Sequence, residues 1–60
     1  MWIVTWEGSF VKNGREESAT YKFKVDDLKT AGRYLRELLD AKRCKGYILV
    51  FGRFTKVQPS

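Results

Sequence analysis

Tyr47–Val57, YILVFGRFTKV, is the stretch on which the fold turns. Read as one strand, it gives the chain three strands. Read as a hairpin with Gly52-Arg53 as a two-residue turn, glycine in the first central place, it gives four. β-branched and aromatic residues fill the stretch from end to end, and Pro59 closes it. A separate final strand of Phe54 to Gln58 would be short and would place Lys56 in a central position. The run also matches Met1–Val11, about eleven residues each. One long strand is therefore the preferred reading, and Gly52 marks a bulge or a close approach within it. Paired antiparallel with Met1 near Val57, the two runs set Trp6 opposite Gly52, an aromatic covering a cross-strand glycine.

The rest of the chain fits around that strand. In Met1–Val11, Trp2, Val4, Trp6 and Phe10 share one parity, and Ile3, Thr5, Glu7, Ser9 and Val11 the other. Such alternation is a strand signal. Asn13-Gly14 is the strongest short hairpin signal, and Glu16 and Glu17 are expected to extend that loop. Ala19–Val25 alternates cleanly as a second strand, with Lys22 and Lys24 on its polar side. Asp26-Asp27 suits a helix N-terminus. The helix is predicted over about 27–43, stopping at Gly46, with Leu28, Ala31, Leu35, Leu38 and Leu39 as its apolar stripe. The fold expected is α+β: β-β-α-β, an antiparallel three-stranded sheet in order 2-1-3 with one helix on one face. The alternative is a grasp-like β-β-α-β-β order.

Sixty residues make a single domain, 1–60, with little core to spare. With one cysteine, Cys44, and no histidine, neither an internal disulfide nor a His/Cys metal site can form, and no metal or other cofactor is expected. Reinforcement falls to the aromatics (two Trp, three Tyr, four Phe) or to self-association. MWIVTWEG has no basic segment ahead of its apolar run, and no stretch is long enough to span a bilayer. The expectation is a cytoplasmic chain with no membrane partner. Twelve Lys/Arg against seven Asp/Glu give +5, a field that attracts polyanions and equally a charge compatible with simple solubility.

A lone helix shields one side of a sheet. Strict alternation then leaves Ile3, Thr5, Glu7, Val11, Lys22, Lys24, Tyr47, Leu49, Phe51, Arg53 and Thr55 on the open side. Apolar groups clustered there call for a partner. Aromatic rings interleaved with cations suit single-stranded nucleic acid; the apolar content suits a second copy, packed by its sheet or joined at an edge.

Within this region Lys45–Gly52, KGYILVFG, resembles the RNP1 strand of RNA-recognition motifs through Lys45, Gly46, Tyr47 and Val50. Ile48 occupies the small-residue place, Leu49 replaces a stacking aromatic and Gly52 the last one. The surrounding element order also departs from that family. The likeness is read as a coincidence of strand patterning, and the open-face argument does not depend on it.

Catalysis is not expected. Asp26-Asp27 reads as a cap, Cys44 as a packing residue, and no phosphate-binding glycine loop is present. No small-molecule substrate is expected either. The chain reads as a small basic non-enzymatic binding protein, nucleic-acid-binding or regulatory. Its candidate contacts are Lys22, Lys24, Lys29, Arg33, Arg36, Arg43, Lys45, Tyr47, Phe51 and Arg53, with Ile3, Leu49 and Phe51 at a homodimer interface. The alternative is a protein-interaction module or inhibitor binding an acidic or nucleic-acid-binding surface of another protein, a role that suits a virus or mobile element. A third reading is a purely structural homo-oligomer subunit.

Overall fold

The computed structural model describes all residues, Met1–Ser60. Strand β1 (Trp2–Lys12) turns into β2 (Arg15–Val25), helix α1 (Leu28–Cys44) follows, and β3 (Ile48–Pro59) returns beside β1. The sheet is antiparallel throughout, in order β2-β1-β3. β3 runs unbroken through Gly52, so the four-stranded alternative does not form.

Local chemistry explains the joints. Asn13 and Gly14 take φ of 53° and 74°, the positive values that a two-residue hairpin of matching twist requires. The ladder resumes at once, with Lys12 opposite Arg15. Glu16 and Glu17 are therefore strand residues rather than the loop extension expected. They break the alternation of β2 because that end of the strand is solvent-exposed. Asp27 caps the helix: Thr30 donates its backbone N–H to Oδ1 at 2.9 Å and its hydroxyl at 3.0 Å. Those two donors, the backbone one first, hold the Asp27 carboxyl below its ordinary range. A carboxyl depressed in the folded state contributes stability that is present at neutral pH and lost as pH falls through the folded value. Asp27→Ala should therefore fray the first helical turn at neutral pH, read as faster amide exchange at Thr30. The difference from wild type should vanish in acid.

The helix packs over the β2 side of the sheet. Ala31, Val4 and Val25 form the closed centre of the core, with Phe23 against them, and Tyr34 reaches the Phe23 ring at 6.4 Å. A 17-residue helix spans about 25 Å, whereas an 11-residue strand spans about 37 Å. Part of the sheet must therefore extend past it. Midway along β1, Trp6 is 3% exposed, stacks on Tyr21 at 5.6 Å and leans on Phe10 at 6.0 Å.

The β1–β3 register differs from the expected one. Gly8, not Trp6, stands opposite Gly52, and Trp6 stands opposite Phe54. The Trp6 ring nonetheless lies where a Cβ would be at both Gly8 and Gly52, so one indole covers both glycines. On either side of this paired-glycine site the strands slip by a residue, leaving Thr55 and Val50 without a partner across the ladder. Each slip switches the parity of what lies beyond it.

Candidate binding surface

Cross-strand partners share a face, so the register sorts the open side into rows. Lys24–Ile3–Gln58, Lys22–Thr5–Lys56, Thr20–Glu7–Arg53 and Ser18–Ser9–Phe51 succeed one another along the sheet. The row at the hairpin end is Glu16–Val11–Ile48. Lys22, Lys24, Phe51 and Arg53 thus occupy the open face expected of them, and Ile3 lies half-buried among them. Lys56 joins Lys22 across Thr5, about 10 Å away at two strand spacings. Parity alone had hidden it, because the slip at Thr55 reverses the facing of the residues beyond.

Two candidates move to the other side. Leu49 stands opposite Phe10 and lines a cleft of about 290 Å³ with Leu39 of the helix. The slip at Val50 is what turns it there. Tyr47 lies against the same end of the helix, its ring edge-on to Phe10 at 6.1 Å and flanked by Lys12 and Lys42 at 4.9 and 4.4 Å. Those cations hold the ring within this cluster, and neither lysine is among the contacts expected from the sequence, where Lys42 only suits the helix C-terminus. Correcting the expectation, Tyr47 and Leu49 do not belong with Ile3 and Phe51 on the open face.

The helix carries a second cationic surface. Lys29, Arg33, Arg36 and Arg43 are all exposed, on the helix side of the sheet. Lys45 terminates the helix, its backbone N–H donating to the Ala41 and Lys42 carbonyls. The single ion pair of the molecule is Arg43 with Asp40, 3.5 Å apart and well exposed. No carboxylate comes that close to Lys22, Lys24, Arg53 or Lys56.

On the open face Ser9 is buried and donates its hydroxyl to Glu16 Oε1 at 2.9 Å. Beside it a shallow depression of about 270 Å³ is lined by Gly8, Ser18, Ala19 and Thr20, with Glu7, Phe51 and Arg53 around it. Phe51 is 56% exposed. The arrangement offers an exposed ring, hydroxyl donors and four unpaired cations on a surface the helix leaves bare. No group of three or more His, Cys, Asp or Glu side chains is placed to hold a metal ion, and no helix is long and apolar enough to cross a membrane.

Comparison with protein-family models, with curated proteins and with solved structures finds no match to this chain.

Proposed function

We propose that this chain is a small non-enzymatic binding protein that holds single-stranded nucleic acid across the open face of its sheet. The carrying observation is the cationic group on that face, Lys22 and Lys56 about Thr5 with Lys24 and Arg53 adjoining, none of them in an ion pair within the chain. Phosphates would follow these side chains, and a base would lie against Phe51 beside the shallow depression. Glu7, in the Arg53 row, would repel phosphate and direct the backbone toward the lysine rows. The helix stripe of Lys29, Arg33, Arg36 and Arg43 is cationic too. Its exposed ring, Tyr34, is tilted against Phe23 of the sheet, and the stripe lies on the far side of the sheet from Phe51, so one strand cannot engage both.

The test is titration of labelled single- and double-stranded oligonucleotides at two salt concentrations. Four phosphate contacts on a single strand give a slope of log K against log salt of about −3. Affinity should fall roughly fifty-fold between 50 and 200 mM salt. Reversing charge with Lys22→Glu and Lys56→Glu should flatten the slope by about 1.4. Phe51→Ala should weaken single-strand binding roughly tenfold or more through lost stacking, with little change of slope. Wild-type affinity in the sheet variants, with loss in Arg33→Glu/Arg36→Glu, would move the site to the helix and overturn this reading.

A further inference from the structure

The outer edge of β3 has no strand beyond it, yet β3 is rich in apolar residues and is the least covered strand. Ile48, Leu49, Val50, Phe51, Phe54 and Val57 are between 44% and 67% exposed. Folded chains ordinarily blunt such an edge with charge, proline or brevity. Here the strand is twelve residues long, its sole proline is its last residue, its two cations, Arg53 and Lys56, both face the open side, and its exposed apolar groups point to both faces. The helix shields little of it: Ala31 packs on Val4 of β1 and Val25 of β2, and α1 reaches β3 only around Leu49.

We propose that this edge is the docking site for a second copy of the chain, β3 against β3, antiparallel about Gly52. Charge and facing together select the occupant and the register. A two-fold axis normal to the sheet keeps open face beside open face, so facing residues must have the same orientation. Between the two slips, Phe51 and Arg53 face the open side and Gly52 and Phe54 the helix side. Centring on Arg53 would set two guanidiniums against each other. Centring on Phe51 would set Val50 against Gly52, wasting its side chain.

Centring on Gly52 sets Phe51 opposite Arg53 of the second copy, and Val50 opposite its Phe54. Each of these contacts occurs twice. The Arg53 stem packs on the ring while its charged end stays at the surface. Lys56 falls opposite Ile48, so no cation of the strand meets another. On the helix side, Val57 of the second copy arrives opposite Tyr47, at the mouth of the cleft lined by Phe10, Leu39 and Leu49. The result is a continuous six-stranded sheet. This inference does not rest on the nucleic-acid reading, since it needs no polyanion.

Sedimentation of the full chain without nucleic acid, across micromolar to millimolar concentration, tests it. Wild type should be a dimer. Phe51→Lys, which creates two like-charge contacts per dimer, should raise the dissociation constant roughly a hundredfold or more, with far-UV circular dichroism unchanged. Ile3→Lys alters the same face on the central strand and should leave the dimer intact. In a Cys44→Ser background, Phe51→Cys/Arg53→Cys should oxidise to a covalent dimer, and Lys56→Cys should not. A wild-type monomer throughout would overturn the proposal. So would dissociation by Ile3→Lys as complete as that by Phe51→Lys, because face-to-face packing would then hold the dimer.

Discussion

Trp6→Ala is expected to leave the chain largely unfolded at 25 °C. Truncating a buried aromatic costs about 3–5 kcal/mol, and a core of this size supplies a net stability of roughly 3–5 kcal/mol. The two figures are comparable, so little folded population should survive. Trp6 is central because it closes several surfaces at once. It stacks on Tyr21 with an interplanar angle of 13°, contacts Phe10, and lies across both Gly8 and Gly52. Removing it bares two glycine backbones and strips one neighbour from each ring, in a molecule with no disulfide to hold it. Trp6→Phe should retain part of that contact and stay folded with a lowered midpoint. Urea denaturation followed by circular dichroism reads both variants. A cooperative transition for Trp6→Ala within about 1 kcal/mol of wild type would show that the indole is not what holds β1 to β3.

Most of the fold is legible in local chemistry. Asn13-Gly14 fixes the hairpin because two positive φ values are needed there and few other pairs supply them. Asp27 marks the helix start through its capping oxygen. The helix stops near Gly46, whose φ of 92° turns the chain out. Strand order follows from a hairpin and one helical return. What could not be read from the residues was the β1–β3 register. Gly52 announced a close approach, but the approach is made by a ring standing on the same strand as a second glycine, Gly8, two residues along. Fitting one indole over both glycines accompanies a slip on either side. A slip is a tertiary adjustment with no local sequence signature beyond the glycine itself.

The candidate surface inherits that pattern. Phe51 and Arg53 lie between the slips, and Lys22 and Lys24 lie on a strand without one. Parity therefore placed all four correctly. Leu49 and Lys56 lie beyond the slips and were each assigned the wrong side or passed over. Tyr47 precedes the strand altogether, where alternation no longer governs, and Lys12 and Lys42 draw its ring into a cluster at the helix end. The open face keeps its cations and one exposed ring. The apolar surplus belongs less to that face than to the β3 edge.

Gly52→Ala should be the second severe lesion, and its severity should depend on Trp6. A Cβ at Gly52 would fall within the Trp6 ring, which is buried and held between neighbours on its own strand and on β2. The ring must leave its stack or β3 must move away. Overpacking of a closed site costs about 1–3 kcal/mol, occasionally more. Gly8→Ala should behave similarly with a further penalty, because its Cβ would also stand 2.6 Å from the Phe51 carbonyl oxygen, which is backbone and cannot rotate aside. Loss of glycine's conformational freedom does not explain the effect: neither residue has a positive φ. A double-mutant cycle separates the causes. With Trp6→Leu, the smaller side chain vacates the space over Gly52, and Gly52→Ala should then be nearly neutral. The coupling between the two sites should lie toward the upper end of the roughly 0.5–3 kcal/mol seen for residues in contact. If Gly52→Ala is equally damaging in both backgrounds, the glycine is required by the β3 backbone rather than by the indole, and the account of the register given by the paired glycines fails with it.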